Sequence, residues 1–137
     1  MDCIFCAIAA GDIPSTRVHE DDQTLAFLDI NPLARGHALV IPKVHGQRVA
    51  DLPADSAAAV MQTVQHVTPR LCQAVGAVDA TIAINDGPDA GQEVPHCHVH
   101  IIPRRPGDSG GPVHALFAER PTPDADDMAA IAAEVMV

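Results

Sequence analysis

The sequence has no tryptophan and no tyrosine and only three phenylalanines, so large aromatic side chains cannot build its core. The interior must come from valine, isoleucine, leucine, alanine and methionine, in a chain that is 47% hydrophobic. Basic residues are also scarce: eight lysines and arginines stand against 18 acidic residues, a net charge of −10. This balance argues against a nucleic-acid partner, because binding a phosphate backbone requires clustered positive charge.

Long hydrophobic runs are absent as well, and none approaches the roughly 20 apolar residues of a membrane-spanning helix. The segment from Cys3 to Ala10 is apolar, but it is short and follows Asp2 where an export signal carries basic residues. We therefore expect a cytoplasmic protein, without a membrane partner, whose four cysteines are reduced. A length of 137 residues predicts one domain with one core.

The most informative stretch, residues 91–104, contains three histidines that alternate with apolar residues. Alternation is typical of a strand with one buried face, and successive imidazoles on the other face would lie about 7 Å apart. The sequence predicts that His96, His98 and His100 share one face and that Cys97, Val99 and Ile101 point into the core. A surface metal patch or solvated edge residues would show the same alternation. An expression tag is excluded, because the histidines are interrupted and internal.

This run, His96-x-His98-x-His100 followed by two apolar residues, resembles the signature of the histidine triad (HIT) superfamily of nucleotide hydrolases and transferases. The resemblance extends over residues 3–105. It implies a HIT-like α+β fold, with a mostly antiparallel sheet of about five strands, one long helix and short terminal helices. We predict a single domain over residues 1–137, in which residues 106–137 form a loop and a weak C-terminal helix.

Local patterns predict where these elements lie. Strands are expected at residues 17–20, 24–28, 37–42 and 79–84 and in the triad stretch. Helices are expected at residues 3–10, 53–75 and 124–137. Pro69 lies inside the long helical pattern and should kink or split it, because proline lacks the N–H that the helix needs.

The resemblance implies nucleotidyl transfer to water at the α-phosphate of a purine nucleotide such as an AMP conjugate. His98 would attack and form a covalent nucleotidyl-histidine, with its other ring nitrogen held by a backbone carbonyl, for which that of His96 is a candidate. His100 would bind a phosphate oxygen or help to protonate the leaving group. The resemblance also assigns substrate contacts to Asp29, Ile30, His37, Asn85, Gly91, Gln92 and Glu93.

Three of these residues also have simpler interpretations. By itself, Asp29 is more typical of a turn or a helix cap. His37 is as typical of a strand start, and Asn85 of a turn.

Two positions depart from known branches of the superfamily. Glu93 stands where the phosphoramidase branch commonly carries a serine, so it either faces away or binds a cationic part of the substrate. Ile101 and Ile102 stand where the dinucleoside polyphosphate hydrolases keep a glutamine. The alternatives are a dinucleoside polyphosphate hydrolase and a catalytically weak nucleotide-binding regulatory protein.

The N-terminal pair Cys3-x-x-Cys6 has three interpretations: a redox motif, half of a zinc site, or two reduced thiols packed in a small helix. A redox motif normally follows a strand, and none can precede residue 3. The resemblance completes a structural zinc site with His45, after Ile41-Pro42-Lys43, and with His96. No organic cofactor is expected, and the resemblance implies a homodimer.

Overall fold

The computed structural model describes residues 2–136, so the predicted helix end at Val137 lies outside the described residues. The described chain has three α-helices: α1 (Ile4–Ala10), α2 (Ala54–Val75) and α3 (Ala125–Val135). It has five strands: β1 (Arg17–Glu20), β2 (Thr24–Leu28), β3 (Ala38–Pro42), β4 (Asp79–Ala83) and β5 (Val99–Arg104). Short 3₁₀ turns lie at Val49–Asp51, Pro88–Ala90 and Val113–Ala115.

The five strands form one antiparallel sheet in the order β1-β2-β3-β5-β4. This arrangement confirms the predicted α+β fold with an antiparallel sheet and one long helix. Strand β5 lies between β3 and β4, with Leu39 and Ala83 opposite His100. The chain that carries the histidines is therefore held on both sides.

The centre of the sheet is buried on both faces, because every residue of β3 and the first four of β2 are buried. Helix α2 covers one face, where the buried apolar residues are Ala26, Ala38, Val40, Val60, Val64, Val67, Leu71, Val99 and Ile101. Helix α1 covers the other, where they are Cys3, Phe5, Ile8, Leu25, Phe27, Leu39 and Ile41. The period-two alternation of strand side chains assigns successive residues to opposite faces.

The histidine run differs from its prediction, because β5 begins only at Val99. His96 and His98 therefore precede the strand instead of lying within it. The expected burial of the alternate residues holds, since Cys97, Val99 and Ile101 are all buried.

Helix α2 continues through Pro69, so this proline does not split it. Pro69 has no N–H to donate to the carbonyl of Gln65, four residues earlier in the helix. Both residues lie on the exposed side of the helix. Water can satisfy that carbonyl. None of the helices within residues 2–136 is both long enough and apolar enough to cross a membrane.

Candidate active site

The three histidines of the triad lie in two different environments. His96 is fully buried and its Nδ1 lies near the sulfur atoms of Cys3 and Cys6, at 3.4 and 3.5 Å. His98 and His100 line a cavity instead. The ring centroids of His98 and His100 are 5.0 Å apart. Alternate residues along a strand are about 7 Å apart, and the two side chains lean toward each other, so their rings are closer than their backbones.

The backbone determines which nitrogen of His98 carries the proton. Its Nδ1 lies 2.7 Å from the carbonyl oxygen of His96, the partner anticipated from the sequence. A carbonyl can only accept, so Nδ1 donates its N–H there and Nε2 keeps its lone pair in the neutral ring. That lone pair is what a nucleophile at phosphorus requires.

The cavity has a volume of about 520 Å³ and an extensive apolar wall. That wall is contributed by Ile4, Phe5, Ile8, Ile13, Phe27, Leu28, Leu33, Leu39 and Val94. Asp29 and His37 lie on the β2–β3 side, and Asn85, Gly91 and Glu93 come from the β4–β5 loop. Among the described residues, no lysine or arginine lines this cavity. Ile30 reaches its rim and is 91% exposed.

The basic side chains that lie near the candidate site elements in sequence have partners elsewhere. Lys43 pairs with Glu20, and Arg48 donates to the carbonyl of Asp86. Arg104 pairs with Asp108. The uncharged side-chain donors that line the cavity are its histidines, Ser15, Asn31 and Asn85.

His37 contacts His100 directly, with 2.9 Å between Nε2 of His37 and Nδ1 of His100. Asp29 lies beside them, its Oδ2 being 3.6 Å from Nε2 of His37. Burial lowers the pKa of His37, and burial with the neighbouring rings of His98 and His37 lowers the pKa of His100 to about 4. Both rings are therefore neutral at pH 7. The resemblance places His37 beside the catalytic histidines, but no local pattern pairs it with His100, which is 63 positions away.

Gln92 was expected to contact substrate, yet its side chain does not line the cavity. Its amide accepts from the N–H of Gly87 and donates to the carbonyl of Gln47, at 2.9 and 2.8 Å. It thereby ties the β4–β5 loop to the chain before α2. Gly91 adopts a φ of +94°, a conformation that glycine enters without strain.

Several apolar residues of the cavity wall, Leu39 and Val94 among them, were not singled out from the sequence. The signal for Leu39 was available in the alternation of β3, which assigns it to the same sheet face as Ile41. Val94 lies in an irregular segment without periodicity, so no local pattern identifies it.

The donor set of Cys3, Cys6, His45 and His96 fits a zinc ion. One ligand atom from each of the four residues lies within 4.8 Å of all the others. Nε2 of His96 is 2.8 Å from the carbonyl of Pro42, so the lone pair of Nδ1 is directed toward the sulfur atoms. Two thiolates and two imidazoles form a common closed structural zinc site.

Comparison with known proteins agrees with this geometry. The HIT domain family model matches residues 10–107. An uncharacterized HIT-like protein of Mycobacterium tuberculosis is 47% identical over 109 residues, which cover 79% of this chain and 75% of the relative. The adenosine 5′-monophosphoramidase of Schizosaccharomyces pombe is 44% identical over 104 residues, covering 76% of this chain and 75% of that enzyme.

Among solved structures, a zinc-bound histidine triad family protein of Mycobacterium smegmatis has a TM-score of 0.75 at 37% identity. The alignment covers 98% of both chains. The family match, these identities and the shared fold lead to one conclusion: this chain belongs to the histidine triad (HIT) family.

Proposed function

We propose that this protein hydrolyses a purine nucleoside monophosphate whose α-phosphate is joined to an amine. The observation that carries the proposal is the His98 tautomer, because the hydrogen bond to the carbonyl of His96 leaves the Nε2 lone pair free beside the cavity. The monophosphoramidase activity named for the yeast relative supports the same reaction class.

Two displacements at phosphorus account for the reaction. In the first, Nε2 of His98 bonds to the α-phosphorus and the bond from phosphorus to the leaving nitrogen breaks. The nitrogen keeps the bonding pair, takes a proton from water and departs as an amine. Water then attacks phosphorus, the bond to Nε2 breaks with its electrons returning to His98, and the proton of water passes to solvent.

The cavity walls suit the nucleoside half of such a substrate. Phe5 and Phe27 contact each other edge to face, with ring centroids 5.6 Å apart, and supply an apolar surface for the base. Asp29 can accept hydrogen bonds from ribose hydroxyls. The N–H groups of Gly91 and Gln92 already donate to the carbonyls of Pro88 and Gly87, so we expect those of Glu93 and Val94 to meet the phosphate oxygens. Zinc, when bound by Cys3, Cys6, His45 and His96, would serve to hold structure, since four protein ligands leave no open position.

The charges of the cavity favour an amine as the leaving group. Two carboxylates, Asp29 and Glu93, line it, whereas no lysine or arginine of the described residues does. A polyphosphate leaving group brings several negative charges and would find no side-chain cation to offset them. Dinucleoside polyphosphates are therefore expected to be poorer substrates than AMP amides.

Intact-protein mass spectrometry after brief exposure to adenosine phosphoramidate tests this function. We expect a transient adduct of one AMP in the wild type and in His66→Ala, which alters an exposed histidine on α2. We expect no adduct and at least a 1000-fold loss of turnover in His98→Ala, because the attacking atom is gone.

Each of the other outcomes points elsewhere. Turnover of His98→Ala at the wild-type rate would refute the covalent mechanism. Faster hydrolysis of diadenosine tetraphosphate would indicate the polyphosphate branch. Binding of AMP without an adduct or product from either substrate would indicate a nucleotide-binding regulatory protein.

A further inference from the structure

The segment between helix α1 and strand β1 is fixed by backbone hydrogen bonds on both sides of Ser15. Before it, the N–H of Ile13 donates to the carbonyl of Ala7 at 3.3 Å. After it, the carbonyl of Thr16 accepts from the N–H of Leu28 at 2.9 Å. Ser15 itself lines the cavity, so its place in the cavity wall is set by the backbone.

The hydroxyl of Ser15 is buried and has no hydrogen-bond partner. Among residues 2–136, its Oγ is the one buried side-chain oxygen or nitrogen atom in this state. A buried hydroxyl without a partner destabilises a folded protein, and native structures satisfy nearly all such groups. Since Ser15 lines the cavity, a molecule bound there can supply the partner that the protein does not.

The cavity wall around Ser15 is otherwise apolar. Helix α1 and the segment that follows it contribute six residues to this wall: Ile4, Phe5, Ile8, Ile13, Pro14 and Ser15. Oγ of Ser15 is the single polar side-chain atom among these six residues. A purine base that lies against hydrocarbon loses hydrogen bonds from water to its ring nitrogens, which costs free energy. A hydroxyl within the same wall can replace one of those hydrogen bonds.

We propose that Ser15 is a specificity-determining residue whose hydroxyl donates a hydrogen bond to a ring nitrogen of the purine base. This inference rests on the proposed function and deepens it, because it adds a polar contact to the base beside the ribose contact of Asp29. Solvent does not reach Oγ in the free protein, so the side chain turns to another staggered position when the base binds. The turn breaks no hydrogen bond, because Oγ has none.

Calorimetric binding measurements with AMP and its three deaza analogues test this contact without requiring turnover. In each analogue a carbon replaces one ring nitrogen that can accept a hydrogen bond. We expect Ser15→Ala to raise the Kd for AMP about 3- to 10-fold, the range for one net hydrogen bond. For one of the analogues, Ser15→Ala should change the Kd less than about twofold, because the two changes remove the same hydrogen bond.

Thermal unfolding of the free protein supplies a second measurement, in which the effect has the opposite sign. Ser15→Ala removes a hydroxyl that has no partner in the free protein, so we expect Tm to rise by about 2–5 °C while the affinity for AMP falls. A hydroxyl with a purely structural role would not couple to the base. Ser109→Ala, which alters an exposed serine outside the cavity, is the matched control and should change neither quantity.

Four results would overturn the inference. These are an unchanged Kd for AMP in Ser15→Ala, a loss of equal size with AMP and all three deaza analogues, a loss that disappears only with 2′-deoxy-AMP, which would assign the hydroxyl to the ribose, and a Tm that does not rise. The expected binding pattern without hydrolysis of any AMP amide would instead refute the proposed function and leave the contact of Ser15 with the base intact.

Discussion

The histidines of the triad are chemically identical, and the partner of one ring nitrogen decides what the other can do. His96 donates to the carbonyl of Pro42 and directs a lone pair toward two thiols. His98 donates to the carbonyl of His96 and keeps a lone pair beside the cavity. Nδ1 of His37 accepts from the N–H of Leu33, so Nε2 of His37 donates to Nδ1 of His100, and the proton of His100 lies on Nε2. The sequence suggested the carbonyl partner of His98, but the spacing of the histidines does not predict the partners of His96 and His100.

Glu93 should favour substrates whose leaving amine carries a second, protonated amino group. It is exposed at the cavity rim, and among residues 2–136 no cation pairs with it. We expect kcat/KM for an aminoethyl phosphoramidate of AMP to exceed that for the propyl analogue about two- to fivefold, since an exposed charge pair contributes about 0.5–1 kcal/mol. Glu93→Gln should abolish this ratio.

Glu119→Gln is the matched control, because Glu119 is exposed in the C-terminal segment and should leave the ratio unchanged. Equal kcat/KM values for both amides in the wild type would show that Glu93 does not read the charge of the leaving group.

His100 should make stability depend on pH. The groups facing it are His98, His37 and Asp29, and its pKa falls from 6.5 to about 4 on folding. As the pH falls, His100 is protonated in the unfolded chain before it is protonated in the folded protein. The free energy of unfolding therefore keeps the full contribution of this ring above pH 6.5 and loses it as the pH falls toward 4. The expected loss is about 2 kcal/mol, after allowing for partial exposure of the ring.

Chemical denaturation at pH 7 and pH 5 measures this effect as a difference between proteins. The free energy of unfolding should fall more steeply with acid in the wild type than in His100→Gln. His114→Gln removes an exposed histidine and should behave as the wild type does. Equal slopes in wild type and His100→Gln would contradict the prediction.

At the scale of elements, helix α1 connects the cysteine–histidine cluster to the cavity. Its first turn and N-cap supply Cys3 and Cys6, while Phe5 and Ile8 face the sheet and line the cavity. Gly11 ends the helix in the left-handed conformation at a φ of +85°. A metal bound to the cluster would therefore also fix one wall of the nucleotide site.

Zinc binding should consequently stabilise the fold as well as the site. We expect about one zinc per chain by elemental mass spectrometry, lost in Cys6→Ser and kept in Cys72→Ser, whose sulfur lies outside the cluster. Removal of zinc by a chelator should lower the free energy of unfolding by about 2–4 kcal/mol and weaken AMP binding. Zinc content and stability that are equal in wild type and Cys6→Ser would exclude this site.

At the scale of the whole molecule, the C-terminal segment, residues 105–136, differs from the rest of the chain in its exposure to solvent. Every residue from 105 to 136 is exposed, although α3 carries an apolar stripe of Met128, Ile131 and Val135. An isolated helix of 11 residues is marginal in water, so this stripe needs a surface to cover it. The zinc-bound relative aligns over 98% of the chain, which includes this segment.

We therefore expect a homodimer in which a second copy covers the stripe. Sedimentation equilibrium should give twice the mass of one chain for the wild type and a weaker association for Ile131→Asp. Ala133→Asp places the same charge on the opposite side of α3, at 100° per residue, and should leave association unchanged. A monomeric wild type, or equal association of the two variants, would contradict this assignment.

Local sequence signals predicted most helices and strands well, because the formation of these elements depends on residues that are neighbours along the chain. Strands β1 and β2 have their expected bounds, and the Gly11 and Gly76 ends of α1 and α2 follow from the backbone freedom of glycine. The signals were weakest where geometry is irregular. The start of β5 and the role of Gln92 depend on hydrogen bonds to segments distant in sequence.

The sequence by itself determined the family, the antiparallel α+β fold and the residue types available for chemistry, since spacing and hydrophobic periodicity encode these locally. Only the tertiary structure decided how those residues are used. Hydrogen bonds from His96 to the carbonyl of Pro42 and from His37 to His100 join positions 54 and 63 residues apart. No local pattern records such pairs, because the pairing of strands β3 and β5 brings together segments that are distant in the chain.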